Sequence, residues 1–169
     1  AAASISADGA LVATQTSDGA EVTDLVSGTT DVVSGQTSGF AIPLLSPDGA
    51  TVALRSAFEV EFVDVETNRV LGDSISVIGA GPSFSPDGSL VAVSNFLGIV
   101  VRQLPSLEVV AAVPPREPGD LVTDLAWSPD GSLLALAGQR GQSRIVEANT
   151  GADITSAITL GVGSQLRWS

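Results

Sequence analysis

Apolar positions along the chain come in short runs that recur at a nearly constant interval: "ALVAT" from Ala10, "ATVAL" from Ala50, "SLVAV" from Ser89 and "SLLAL" from Ser132. A run this short and continuous is the pattern of a strand covered on both faces. Each run follows a turn, "SADG" in the first copy and "SPDG" in the other three. Proline presets φ for the second turn position, and aspartate and glycine complete a hairpin, with glycine free to take φ > 0. Every copy therefore predicts two antiparallel strands joined at the motif. The fourth residue of each run is alanine, at Ala13, Ala53, Ala92 and Ala135. A small side chain repeated at one depth predicts close approach of neighbouring sheets.

Downstream of each run lies a second turn, at "SDG", "AFE", "FLG" and "QRGQ", and then a further strand pattern: "AEVTDL", "EVEFVDV", "IVVRQL" and "SRIVEA". A third turn ("VSGT", "ETNR", "PSLE", "NTGA") leads to another short strand such as "VVAAV" from Val109. The motif serines are Ser6, Ser46, Ser85, Ser128 and Ser169, a period of about 40 residues, which is a repeat-architecture signal. Four short strands per period, with no helical periodicity, predict an all-β chain and specifically a β-propeller. The blade repeats run approximately over 1–45, 46–84, 85–127 and 128–169, each of four antiparallel strands, within a single partial propeller domain over 1–169. Propellers close as rings of about 4–8 blades, and the four repeats are expected to form part of a larger ring of seven or eight. Trp168-Ser169 repeats the phase of Trp127-Ser128 and of the start of the chain. A surplus C-terminal strand is therefore expected to take the innermost place of a first blade.

The stretch "FSPDGSLVAVS" from Phe84 resembles the first hairpin of WD repeats and of the related TolB-like propeller repeats, and the resemblance covers nearly the whole chain. It departs from the strict WD pattern. Thr23-Asp24, Val63-Asp64, Arg102-Gln103 and Val146-Glu147 stand where that family has a Trp-Asp pair, and a chain without histidine has no Gly-His pair. What the resemblance implies is the propeller fold, and a binding face that carries the second turn of each blade together with the long loop between blades.

Composition removes several chemistries. Histidine, cysteine, methionine and tyrosine are absent. No Ser-His or Cys-His nucleophile, zinc site or tyrosine-dependent sialidase chemistry can be built. The net charge of −12 repels phosphate backbones, so nucleic acid is not expected as a partner. No apolar run reaches the about 18 residues of a membrane span. The lack of cysteine favours a reducing, cytoplasmic setting, with an extracytoplasmic or periplasmic one as the alternative. The absence of methionine is expected of a processed or excised piece, and heavy use of Ala, Gly, Val, Arg and Asp without Lys suggests a bacterial source.

Asp8, Asp48, Asp87 and Asp130 recur one to a blade, and the turn role explains them better than calcium, which needs several converging oxygens. "GAGPSFS" near Gly79 lacks the lysine and following helix of a phosphate cradle. No catalytic, cofactor or metal residue is assigned. Ile5, Leu45, Phe84, Trp127 and Trp168 share the register before the motif serine and are expected in the core between blades.

The tip of the second turn is different, because repeat physics does not dictate its side chain. The corresponding residues are Asp18, Phe58, Leu97 and Arg140, with Phe96 adjacent. Large apolar groups beside arginine, where a solvated turn would carry Gly, Asn or Asp, suit a protein-binding surface. By the resemblance, "PPREPGD" with Arg116 joins it. The sequence thus reads as a non-catalytic scaffold that binds a protein partner, as a regulatory or sensor module of a bacterial signalling protein. An extracytoplasmic TolB-like scaffold and a carboxylate-dependent propeller enzyme acting on a sugar are the alternatives. Further blades are expected from a second copy in a head-to-tail dimer, or from the parent chain.

Overall fold

Each motif hairpin is locked by its own polar atoms. The hydroxyls of Ser6, Ser46, Ser85 and Ser128 donate to the carboxylates of Asp8, Asp48, Asp87 and Asp130, each at 2.6 Å. The same hydroxyls accept the N–H of Leu11, Thr51, Leu90 and Leu133 at 2.9–3.0 Å. The turn glycines Gly9, Gly49, Gly88 and Gly131 take φ of 71–76° and donate back to the serine carbonyl. All four serines are buried, so this internal pairing meets a need that water cannot.

The computed structural model describes residues 2–17, 19–35, 41–140 and 143–155. These fall into two compact units, Ala1–Ser76 with Pro105–Leu107, and Val77–Leu104 with Glu108–Ser169.

The first unit holds two antiparallel sheets. One is β1 (Ala3–Ile5), β2 (Leu11–Gln15), β3 (Ala20–Asp24) and β4 (Thr30–Val33), in that order. The other is β5 (Ile42–Leu45), β6 (Thr51–Arg55), β7 (Glu59–Asp64) and β8 (Arg69–Val70), with β9 (Ile75–Ser76) also pairing β7. In the second unit, β10 (Ser83–Phe84), β11 (Leu90–Asn95), β12 (Gly98–Gln103) and β13 (Val109–Val113) form one sheet. The other sheet is β14 (Val122–Trp127), β15 (Leu133–Gly138) and β16 (Ser143–Glu147). Among the described residues no helix is long and apolar enough to cross a membrane.

The all-β blade architecture is as predicted, with two differences of detail. The sheets do not all have four strands: the outer strand of the second is broken into β8 and β9 by a turn containing Gly72 at φ 66°. Among the described residues the fourth sheet has three strands plus the isolated bridge Val146–Asp153. Each sheet also begins one strand before its motif serine, so the frames that start at Ser46, Ser85 and Ser128 separate the first strand of those blades from the second. The innermost place of the first sheet is held by β1, which pairs with β2 from Ala3–Thr14 to Ile5–Val12. The C-terminal strand expected to take that place lies outside the described residues.

Within each unit the two sheets meet by one rule. In the first, Ala13, Ala20, Val22 and Val33 of the leading sheet cluster with Leu45, Val52, Leu54 and Val63 of the following one. In the second, Ala92, Ile99, Val101, Ala111 and Val113 meet Trp127, Leu134, Leu136 and Val146. The alanine face of one blade thus meets the motif-register face of the next. The register is also stitched by hydrogen bonds, Leu45 N–H to Ser4 Oγ at 2.8 Å and Trp127 Nε1–H to Ser83 O at 3.0 Å.

Leu45 and Trp127 are buried as expected, and Phe84 is half-buried. Ile5 is not core: it is 56% exposed, because it lies on the face of the first sheet that no other described sheet of its unit covers. Trp168 lies outside the described residues. All four slot alanines, Ala13, Ala53, Ala92 and Ala135, are buried. Ala92→Leu is expected to overpack its interface at a cost of about 1–3 kcal/mol, whereas Val109→Thr at an exposed position should stay within about 0.5 kcal/mol. Equal denaturation midpoints for the two variants would remove the close-approach argument.

Candidate functional site

The second turn of each blade places the candidate residues. In the second sheet, Ser56 closes the turn from both sides: its N–H donates to Glu59 O at 2.8 Å, and its Oγ accepts the Glu59 N–H at 3.2 Å. Phe58, at the tip, is 72% exposed. In the third sheet, Asn95 Oδ1 accepts the Leu97 N–H at 2.8 Å, and the chain turns back through Gly98 at φ 110°. Phe96 and Leu97 are 72% and 79% exposed on that turn. Both turns are fixed by their own hydrogen bonds, so their apolar side chains project from ordered backbone. Phe58 belongs to the first unit and Phe96 and Leu97 to the second. Asp18 lies outside the described residues.

Arg140 and Arg116 are both engaged within the second unit. Arg140 Nη1 meets Glu117 Oε2 at 2.9 Å, with both side chains largely exposed, a geometry worth at most about 1 kcal/mol. Arg116 meets Asp153 at 3.4 Å, and Arg144 meets the same carboxylate at 2.9 Å while donating to Pro114 O at 2.7 Å. Burial pushes the Asp153 carboxyl up, but bonds from Thr155 and Arg144 outweigh it and hold the group well below the usual carboxylate range. Arg144 and Asp153 carried no signal in the sequence, because they meet only through the Val146–Asp153 bridge. Leu25 and Val26 are likewise exposed, in the third turn of the first blade. An apolar pair between Asp24 and Gly28 was the available sign.

The motif aspartates do structural work. The Ser128 hydroxyl, the Ser132 N–H and the Ser132 hydroxyl hold the Asp130 carboxyl down at about 2, and Asp8 and Asp87 are lowered by the same kind of bonds. A carboxyl lowered on folding contributes stability above its ordinary value of 3.8 and loses it as pH falls through about 2. Ser128→Ala is therefore expected to lower the melting midpoint most at neutral pH, with the gap to the unaltered chain narrowing on acidification. A gap independent of pH would overturn this. Among the described residues no group of three or more His, Cys, Asp or Glu could hold a metal ion.

Residues 82–169 match the family model described as the anaphase-promoting complex subunit 4 WD40 domain, just over half of the chain. No curated protein matches the chain significantly.

Proposed function

Because the chain belongs to the WD40-domain family of anaphase-promoting complex subunit 4, we propose that it is a non-catalytic scaffold that holds a protein partner through the second turns of its blades. The family description places its namesake in a multi-subunit complex. For this chain we carry over the mode, one module of a larger assembly, and place that assembly in a bacterial regulatory or signalling protein.

The observation that carries the reading is the exposure of Phe58, Phe96 and Leu97, between 72% and 79%, on turns already ordered by hydrogen bonds. Large apolar groups on fixed backbone bind at little entropic cost and make effective anchors. The test is capture of a partner by the unaltered chain, identified by mass spectrometry and then measured directly. Phe96→Ser with Leu97→Ser should weaken that binding by about 2 kcal/mol or more without moving the melting midpoint. Unchanged affinity would overturn the reading.

A second contact completes the blade stack. The face of the first sheet bearing Ile5 corresponds to the buried Leu45–Val52 face of the second, and it favours a further blade as its cover. Charge favours the last repeat of a second copy. Residues 1–45 carry five acids and no arginine, whereas residues 128–169 carry three of each, so a head-to-tail pair avoids meeting two acidic ends. A monomeric mass at tens of micromolar would overturn this arrangement.

A further inference from the structure

Beside Gly98, between the third and fourth sheets, lies a small hollow of about 20 Å³, room for one water-sized group. Its apolar walls come from Ile99, Val113, Pro114, Val122 and Leu136, and Asp120, Arg116 and Arg144 also line it. Asp120 Oδ1 is buried and, among the described residues, has no hydrogen-bond partner. A buried carboxylate oxygen left unmatched needs a donor. The nearby cations do not supply one. Arg144, which lines the hollow, is committed to Asp153 at 2.9 Å and Pro114 O at 2.7 Å, and Arg116 faces Asp153 at 3.4 Å.

We propose that this hollow is an anchor slot for one lysine side chain of the partner segment that docks over Phe96 and Leu97; the proposal rests on the docking reading above. An ammonium head is water-sized and supplies three donors, whereas a guanidinium is planar and larger. The chain contains no lysine of its own and carries a net charge of −12, which draws in a basic partner segment.

The test titrates the whole chain with N-acetyl-lysine methylamide and, separately, with its norleucine counterpart, following backbone amide signals of Ile99, Val122 and Leu136 by NMR. Saturable shifts are expected, with the lysine compound binding about tenfold tighter because only it makes a charge-assisted bond. Asp120→Asn should abolish that preference while melting no lower than the unaltered chain, since the buried Oδ1 has no hydrogen-bond partner to lose among the described residues. Equal affinity for the two compounds, a lysine preference that survives Asp120→Asn, or no saturable shift because water alone fills the hollow would each overturn the slot. Failure of the docking reading looks different. If Asp120→Asn keeps full partner affinity while Phe96→Ser with Leu97→Ser loses it, docking stands and the slot falls. If the lysine compound binds as expected but the Phe96/Leu97 variant keeps its partner, the slot stands and docking falls.

Discussion

Gly98→Ala is expected to lower stability by about 2–5 kcal/mol, combining the cost of a left-handed backbone with that of a forced contact. Gly98 has φ 110°, and a Cβ there would lie 2.1 Å from Val113 O and 3.0 Å from two backbone atoms of Pro114. None of these can swing aside as a side-chain tip could. Gly9→Ala is the control: its φ is 73°, but nothing lies within 4 Å of the added Cβ. It should cost only the backbone part, about 1–2 kcal/mol. Denaturation midpoints for the pair separate the two effects, and equal losses would show that the clash with Val113 is relieved by movement. The position also has a functional side. Gly98 ends the turn that carries Phe96 and Leu97, so a shift of its backbone re-aims both side chains, and partner affinity should fall further than stability alone accounts for.

The parts of the fold that were legible in the sequence are those whose chemistry closes within a few residues. Serine, aspartate and glycine of each motif satisfy one another inside a single hairpin, so the spacing of the motif was enough to place the strands. The slot alanines were legible because their repetition at one depth has only a packing explanation, and all four are buried. The break between β8 and β9 was not legible, since Gly72 sits among ordinary loop residues. Nor was the exposure of Ile5, because register predicts what a residue faces but not whether a neighbour is there to face it. At the candidate site, the large apolar tips stood out against the usual polar chemistry of turns. Arg116 was singled out only through the resemblance, with its loop, and Asp120, Asp153 and Arg144 were not. Their meaning depends on distances across loops of irregular length, and no spacing rule connects them.

Trp127→Ala is expected to cost about 3–5 kcal/mol. Trp127 is buried between the third and fourth sheets, and its indole N–H reaches Ser83 O at 3.0 Å. Trp127→Phe keeps much of the packing but loses the bond to Ser83 O, at a cost of about 0.5–1.5 kcal/mol. Ile5 occupies the same register in the first sheet yet is 56% exposed, so Ile5→Ala in an isolated chain should change stability by only about 0.5 kcal/mol. The contrast turns into a test of association. If the last blade of a second copy covers the Ile5 face, the unaltered chain should melt lower on dilution, because unfolding is then linked to dissociation. Ile5→Ala should weaken that concentration dependence, while Trp127→Phe lowers the midpoint by the same amount at every concentration. A midpoint independent of concentration in the unaltered chain, with Ile5→Ala neutral throughout, would leave the Ile5 face uncovered in solution and overturn the head-to-tail pair.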